Sequence, residues 1–171
     1  MASFRERLAG AIGLNAATYE EVEADRSATG QAMAVVLLSS VAAGIGAIGI
    51  FGPAGIVRGA VSALVGWCVW AVLTYIIGTR LLPEPQTRAT VGELLRTTGF
   101  AAGPGLFRIF TLVPGVGWLV ALVSAVWMLA AMIVAVRQAL DYTSTLRAVA
   151  VCVIGFLIYL ATALLFLPFA G

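Results

Sequence analysis

The sequence contains no histidine and no lysine, and charged residues make up only 11% of its 171 positions. The missing histidine excludes His-ligated metal and haem sites and catalysis by a serine–histidine pair. It also removes the side chain that ordinarily titrates near neutral pH, so any proton chemistry must use carboxylates. Neither a GxSxG nor a Walker A sequence is present. We therefore predict that the protein is not an enzyme and has no catalytic, cofactor-binding or metal-binding residue.

Basic and sulfur-containing residues are also sparse. All ten basic residues are arginines, scattered singly rather than grouped in a patch, and the formal net charge is +2. This distribution does not favour nucleic-acid binding. Cys68 and Cys152 lie in separate apolar runs at different predicted membrane depths, so we expect them to be unpaired and to behave as small hydrophobic residues.

The sequence is rich in hydrophobic residues, and these form long uninterrupted runs. Hydrophobic residues make up 61% of the chain, against roughly 45–50% in soluble domains. A membrane-crossing helix needs about 20 largely apolar residues. Four runs qualify with almost no charge, at 32–51, 59–79, 116–136 and 148–168. The first thirty residues contain no pattern typical of a cleavable signal peptide, so we expect the first run to act as its own anchor.

A fifth segment, 96–112, is apolar but short and is interrupted by Gly103-Pro104-Gly105. The helix between Arg96 and Arg108 would rise about 18 Å, whereas the hydrocarbon core is about 30 Å thick. Arginines can reach the interfaces along their apolar stems, so a short crossing and a segment that enters and returns both stay open. Pro104 is expected to kink the helix, and the carbonyl that it frees needs a partner inside the bundle.

The arginines indicate the orientation, because short loops rich in basic residues tend to stay cytoplasmic. With five crossings and a cytoplasmic N-terminus, eight arginines lie inside and two, Arg58 and Arg108, lie outside. A returning third segment gives seven against three, so five crossings are slightly favoured. We predict an all-α integral membrane protein with a cytoplasmic region over 1–30 and a single bundle of five transmembrane helices over 31–171. The third helix is short and broken, and the C-terminus lies on the opposite side.

Residues 1–30 carry two short helical patterns. Phe4, Leu8 and Ile12 repeat at a spacing of four, which is typical of a helix lying on the membrane surface. A second helix is expected to begin at Thr18, which has capping-box spacing to Glu21, or at Asn15. Its acidic cluster either docks a partner or a cation or forms a solvated face. The candidates for docking a partner are Tyr19, Glu20, Glu21 and Glu23.

Small residues recur at helical spacing in the first two spans. Such rows let helix backbones approach closely in lipid. The candidate packing residues are Ser39, Ala43, Gly44, Gly46, Ala47, Gly55 and Gly59. The stretch GIGAIG is not a dinucleotide site, since no strand precedes it and no acidic residue follows about 20 positions on. The break in the third helix is the candidate functional or packing site, comprising Arg96, Gly99, Gly103, Pro104, Gly105 and Arg108.

Tryptophans fall at two kinds of position. Trp67, Trp70 and Trp127 lie in mid-span, which favours packing inside the bundle with the indole N–H bonded to a carbonyl or hydroxyl. Trp118 lies near a span end, as expected of an interfacial anchor.

The connection before the last span contains VRQALDYTSTLR. Arg137 and Asp141 are four residues apart and are expected to form a weak surface pair on a helical extension. Thr143 or Ser144 is expected to cap the last helix.

Three stretches resemble a known family: ELLRTTGFAAGPGLFRIF, the PGVGW turn, and VRQALDYTST leading into Arg147. They are similar to the second half of the Yip1 domain of the YIP1 family, in the form seen in bacterial members. The resemblance implies five membrane helices with a cytoplasmic N-terminus. In eukaryotic relatives it implies vesicle traffic through Rab GTPases, but their DLYGP-type motif is absent here. Thirty polar residues also offer little surface for a GTPase, so the resemblance carries the fold rather than Rab binding.

These observations predict a non-enzymatic multi-pass membrane protein that organises membranes or acts as a trafficking adaptor or assembly factor. Its expected partners are the lipid bilayer and either itself or other membrane proteins, with no cofactor. The expected location is a bacterial inner membrane. The alternative is a small permease, channel or lipid-handling protein that uses the broken third helix.

Overall fold

A computed structural model describes residues 2–166, and all regular elements in that part of the chain are helical. The α-helices are α1 (Phe4–Ile12), α2 (Ala16–Ala24), α3 (Ala28–Gly46), α4 (Ile48–Ile76), α5 (Val91–Phe100), α6 (Gly117–Ala139) and α7 (Thr145–Phe166). A π-helical turn, Ile77–Leu81, extends α4, and a 3₁₀ helix, Gly103–Leu112, follows α5. The prediction of an all-α protein is confirmed.

The connection between the first two predicted spans begins earlier than expected. α3 ends at Gly46, before the predicted boundary at residue 51, and α4 begins at Ile48. The chain bends again at Gly52, whose φ of 65° interrupts α4. Glycine adopts this conformation at no steric cost, and Pro53 then suits the first turn of a helix because that turn needs no N–H partner. Arg58 therefore lies on a helix and not in a loop.

The third segment is longer than predicted and changes its winding. α5 begins at Val91 and ends at Phe100, before the proline, and the chain continues from Gly103 as a 3₁₀ helix. Pro104 lies in the first turn of that helix, where a missing N–H breaks no hydrogen bond. The expected proline kink is therefore wrong. The helix is already interrupted before Pro104, and the break lies between two helices of different type.

The long helices form a bundle with two distinct ends. At the near end, the Tyr142 hydroxyl lies 2.9 and 2.7 Å from the carbonyls of Gly78 and Leu82, and its hydrogen bond joins the end of α4 to the turn between α6 and α7. At the far end, Gly46 of α3 and Gly117 of α6 both approach Thr111 of the 3₁₀ helix. Successive long segments thus run in alternating directions between the two ends.

Among the residues whose side chains the structure describes, three helices are long and apolar enough to cross a membrane: Ala28–Gly46, Ile48–Leu81 and Gly117–Ala139. The part of α7 described in this way, Thr145–Ala161, is also apolar. The last two positions of the predicted fifth span, 167–168, and the C-terminal residue Gly171 lie outside the described residues. Large apolar side chains cover the outer surface, and Ile50, for example, is 78% exposed. A surface of this kind suits contact with lipid.

Candidate functional site

The break in the third segment is the most enclosed part of the bundle. The run from Arg96 to Ala101 is buried, as are Gly103, Pro104 and Gly105. Polar side chains within it are satisfied locally, since the Thr97 hydroxyl donates to the carbonyl of Glu93 at 3.0 Å and Thr98 donates to Leu94. Buried hydroxyls bonded in this way carry little desolvation penalty. The arrangement is typical of tight packing and leaves no reactive hydroxyl free.

Glycines at the break allow three neighbours to approach its backbone. A Cβ on Gly99 would lie 2.7 Å from the Cβ of Ala32 on α3, and one on Gly105 would overlap the hydroxyl of Ser39. A Cβ on Gly103 would lie 3.0 Å from the side chain of Ile12 on α1. Larger residues would separate these elements, so the three glycines are packing positions.

The third segment runs parallel to α3. Gly99 lies beside Ala32 and Gly105 lies beside Ser39, while the far end of the 3₁₀ helix reaches Gly46. The fourteen residue steps from Ala32 to Gly46 rise about 21 Å. The segment therefore follows α3 continuously in one direction over that distance, without turning back.

The N-terminal helix α1 packs into the bundle at the level of the break. The ring of Phe4 lies 6.5 Å from that of Phe100, and Leu8 and Ile12 lie against Gly103. The Trp127 indole N–H of α6 donates to the carbonyl of Ile12 at 2.8 Å. The prediction that the apolar face of this helix lies on the membrane surface is therefore wrong, because the apolar side chains of α1 contact protein.

The turn between α1 and α2 completes a hairpin. Asn15 is the N-cap of α2 and accepts from Ala17 N at 3.0 Å, so the alternative start at Asn15 is confirmed and the start at Thr18 is wrong. Tyr19 is fully buried, and its hydroxyl donates to the carbonyl of Ala11 at 3.1 Å. Burial raises the pKa of this phenol above its ordinary value. Tyr19 thus binds α1 within the hairpin.

A buried arginine holds the hairpin together. Arg7 is 2% exposed, and its guanidinium lies 3.0 Å from Glu21 and 2.7 Å from Asp25. It also donates to the side chain of Gln31 at 3.2 Å. Hydrogen bonds from Ser27 and Arg7 lower the pKa of Asp25 to about 2. A bond from the Ala2 amide, then one from Arg7, lowers the pKa of Glu21. Glu21 therefore has an internal ion-pair partner.

A second buried arginine attaches the hairpin to the third segment. Arg96, 6% exposed, donates from Nε to the carbonyls of Val22 and Glu23 at 3.0 and 2.9 Å, and Nη2 also donates to Glu23. These carbonyls lie in the last turn of α2, where a cation is favourable. Gln138 of α6 also donates to Glu20 of α2, at 2.7 Å. α2 is thus held between α5 and α6.

The predicted packing residues divide between α3 and α4. Gly44 lies against Ile56, and Gly46 lies against the 3₁₀ helix. Ala43 and Ala47 are partly buried. On α4, a Cβ on Gly55 would meet only the side chain of Phe51, one turn earlier on the same helix, and a Cβ on Gly59 would have nothing within 4 Å. The other break residue, Arg108, is exposed.

Glu84, which was not predicted from the sequence, joins the loop before α5 to the turn before α7. Its buried carboxylate accepts from the Thr143 amide at 2.9 Å, the Thr143 hydroxyl at 2.7 Å and the Ser144 amide at 3.2 Å. Arg147 lies 3.5 Å away. The Thr143 bonds, then the Ser144 bond, lower the pKa of Glu84 to about 2. Ser144 caps α7 by accepting weakly from Arg147 N at 3.4 Å, so this predicted cap is confirmed. An isolated Glu in a Pro-rich loop gave no signal of this role.

The predicted pair of Arg137 and Asp141 is wrong. α6 ends at Ala139, and Asp141 has a φ of 52°, which takes it out of helical register. Arg137 donates instead to the carbonyls of Tyr142 and Thr143 at 3.2 and 3.3 Å. The guanidinium therefore closes the turn after α6.

Trp67 and Trp127 have the expected carbonyl partners, whereas the partner of Trp70 is a sulfur atom and not the expected carbonyl or hydroxyl. Trp67 donates to the carbonyl of Leu95 at 3.0 Å, and Trp70 donates to the sulfur of Met132 at 3.2 Å. Trp118 is 69% exposed, as an interfacial anchor would be. Cys68 and Cys152 are both free. Within residues 2–166, no group of three or more histidine, cysteine or acidic residues is arranged to hold a metal ion.

The amino-acid sequence matches a family model described as the Yip1 domain over residues 15–165. The chain belongs to the Yip1 domain family. No curated protein and no solved structure matches it. The Yip1 match begins at Asn15, the N-cap of α2, so α1 lies outside the matched segment. In this Yip1 protein, α1 nevertheless contacts the glycine-containing break and Trp127, both of which lie within the matched domain.

Proposed function

We propose that this protein is a non-enzymatic multi-pass membrane protein that assembles with itself through an exposed helix face and so organises or scaffolds the membrane around it. The observation that carries the proposal is the outer face of α4. In the apolar stretch of the helix Ile48–Leu81, only 17% of the residues are buried inside the bundle, whereas 33% are buried in the corresponding stretch of α3. α4 therefore has the larger free surface.

Small residues mark one side of that surface. Gly59, Ser62 and Gly66 recur at intervals of three and four, which brings them to one face of the helix. A Cβ on Gly59 or on Gly66 would have no atom within 4 Å, and Ser62 is exposed. In lipid, apolar side chains gain nothing by leaving the solvent, so close backbone packing at such rows is a main source of helix association.

Cysteine crosslinking in native membranes tests the assembly. Ser62→Cys, in a background with Cys68→Ala and Cys152→Ala, is expected to form a disulfide-linked dimer. The matched control restores Cys68 alone, because at about 100° per residue it lies roughly half a turn around α4 from Gly59. Gly59→Leu is expected to abolish the Ser62→Cys crosslink. The proposal would be refuted if the chain stayed monomeric, or if cysteines at positions 62 and 68 formed crosslinks equally well.

The topology that we propose for this assembly has five crossings, with residues 1–30 in the cytoplasm of a bacterial cell and the inner membrane as the location. Two observations support it. The third segment follows α3 in one direction, whereas a returning segment would reverse, and the arginine distribution favours five crossings by eight against two. The lipid bilayer and other copies of the chain are the proposed partners.

Accessibility labelling of single cysteines tests this topology in intact cells. Five crossings predict that labels placed at Gly30, Gln86 and Asp141 are protected from an impermeant reagent. Labels at Gly115 and Gly171 are expected to react. Protection of Gly115 together with Gly171 would refute five crossings.

A cavity at the far end favours a second candidate function, which is handling of lipid or another apolar molecule. It has a volume of about 380 Å³ and lies between the 3₁₀ helix and α6, lined by Phe107, Phe110, Leu119, Val120, Val123, Ser124 and Trp127. Phe107 and Trp127 stack there at 5.3 Å. Reconstituted protein would be assayed for lipid flip and solute flux. Val123→Trp, which fills the cavity, is expected to abolish flux if this function holds, with the exposed Val126→Trp as the control.

A further inference from the structure

At the near end, the second helix of the hairpin meets two membrane helices, and polar groups line the part of this joint beside the apolar contacts of Tyr19 and Val22. Arg96 of α5 binds the last carbonyls of α2, and Gln138 of α6 binds Glu20 of α2. A polar cavity of about 410 Å³, lined by Glu20, Arg137, Gln138, Asp141, Tyr142 and Thr143, lies beside these contacts. Water can therefore reach the joint from the near end.

Negative charge exceeds positive charge in this joint. Glu23 of α2 lies among the carboxylates of Asp141, Glu93 and Glu20, and the charge of Arg96 opposes theirs. The guanidinium of Arg96 bonds to main-chain carbonyls, including that of Glu23 itself. The nearby Arg137 is likewise bonded to carbonyls, at the turn after α6. The Glu23 carboxylate is therefore surrounded by like charges that the two arginines only partly offset.

Burial, followed by the charges of Asp141 and Glu93, raises the pKa of Glu23 to about 7, and Arg96 opposes the shift. The other carboxylates that bind the hairpin behave in the opposite way. The pKa of Glu21 is lowered and that of Asp25 falls to about 2, so both stay ionised through the neutral range. Glu23 is thus the carboxylate of the hairpin whose charge changes near neutral pH, in a chain without histidine.

We propose that the joint between α2, α5 and the turn after α6 is a proton-operated latch, which holds the α1–α2 hairpin against the broken third segment in acid and loosens it as the pH rises through neutrality. Release would uncover the surface formed by Phe100, Gly103 and Trp127. The proposal does not depend on self-assembly through α4, because the two surfaces are separate.

The direction follows from the proton balance of docking. In the released hairpin, Glu23 regains water and its ordinary pKa of 4.5. Docking therefore takes up a proton between about pH 4.5 and 7, so the docked form loses stability relative to the released form as the pH rises across that interval. Each unit of pKa difference is a factor of ten in the docking equilibrium. Because Glu23 is only half-buried and solvent screens its neighbours, we expect a fall of about tenfold between pH 5 and 8.

Distance measurement by pulsed electron spin resonance tests the latch on the full chain in lipid nanodiscs. Spin labels at Ala9, exposed on α1, and Leu146, exposed at the start of α7, would report the position of the hairpin after Cys68 and Cys152 are replaced. Samples frozen at pH 5 and pH 8 avoid any pH dependence of the readout. At pH 5 we expect one narrow distance distribution, which belongs to the docked hairpin. At pH 8 we expect a second, broader distribution from the released hairpin, with a ratio of released to docked molecules about tenfold higher than at pH 5.

Three variants make the result specific. Glu23→Gln is expected to keep the narrow distance at both pH values. Asp141→Asn leaves Glu23 in place and removes a like charge, so the transition is expected to move to lower pH. The control Arg26→Gln changes an exposed charge beside α2 and is expected to retain the parental transition. An unchanged distance distribution in the parent, or a transition that persists in Glu23→Gln, would overturn the latch.

Discussion

Trp127, in the middle of α6, donates its indole N–H across 2.8 Å to the main-chain carbonyl of Ile12, the last residue of α1. The bond joins residues 115 positions apart in the sequence and links the N-terminal hairpin to α6. The carbonyl belongs to the last turn of α1 and lacks a partner within that helix. The bond therefore fixes the depth to which α1 enters the bundle.

Replacing Trp127 with phenylalanine is expected to weaken this attachment by about 1 kcal/mol, the usual net contribution of one hydrogen bond. The aromatic contact with Phe107 would largely survive, because a ring remains. Hydrogen exchange of the α1 amides should accelerate about fivefold while exchange in α4 stays constant. Trp118→Phe, at a position 69% exposed, is the control and should leave α1 exchange unchanged.

Arg96→Lys is expected to free the end of α2 although it keeps the charge. A lysine cannot present the fork that reaches two successive carbonyls, and loss of a charged hydrogen bond at a buried site costs about 1.5–3 kcal/mol. The amides of α2 should exchange faster by one to two orders of magnitude, an estimate from the same range. Equal protection in the variant and the parent would contradict the assigned role of Arg96.

Gly99→Ala is expected to lower the free energy of unfolding by about 1–3 kcal/mol, because the new methyl group must displace α3. The obstacle includes the main-chain carbonyl of Ala32, 3.1 Å from the added atom, and the ring of Trp67 at the same distance. Gly30→Ala has no atom within 4 Å and should be neutral or slightly stabilising, since alanine favours a helix over glycine. Thermal unfolding in detergent would compare the two.

Glu84→Gln is expected to loosen the start of α7 and to lower the melting temperature by a few degrees at neutral pH. The pKa of Glu84 lies near 2, below its ordinary value of 4.5. The ionised carboxylate therefore stabilises the folded protein fully above pH 4.5, and this contribution disappears as the pH falls through 2. The difference in melting temperature between parent and variant should shrink over the same interval. A constant difference from pH 6 to pH 2 would contradict the capping role.

The two free cysteines should react differently with a lipid-permeant thiol reagent. Cys68 is exposed on the outer face of α4, whereas Cys152 is 3% exposed inside the bundle. Cys68 is expected to be labelled in the folded protein and Cys152 only after denaturation. Mass spectrometry of labelled peptides would distinguish the two sites.

The length of the apolar runs and the scarcity of charged residues were sufficient to predict a helical membrane protein. The stretches GFAAGPG and PGVGW were sufficient to predict the family. Helix type was not predictable, because the 3₁₀ helix packs against α3 and α6, and the sequence does not reveal these contacts. The end of the first span was misplaced because hydropathy does not register the backbone angles at Ala47 and Gly52 that interrupt the helices.

The contacts of the candidate site were the least accessible to sequence reasoning. The glycines of the break were identified because small residues have a direct steric meaning in a membrane. Arg7 and Arg96 were interpreted as markers of topology, and Arg96 was also named as part of the break, but nothing in their spacing reveals the carbonyls and carboxylates that they bind. Contacts between residues more than 70 positions apart, such as Arg96 with Glu23, depend on the assembled bundle.

The 3₁₀ helix changes what a hydropathy window measures. Its ten residues, Gly103–Leu112, extend about 20 Å, whereas ten residues of α-helix extend about 15 Å. A scan that counts residues therefore underestimates the reach of this segment by about a quarter and scores it as too short. In Yip1 domain proteins, segments that fall below the usual length threshold should be assessed by their winding before they are excluded as crossings.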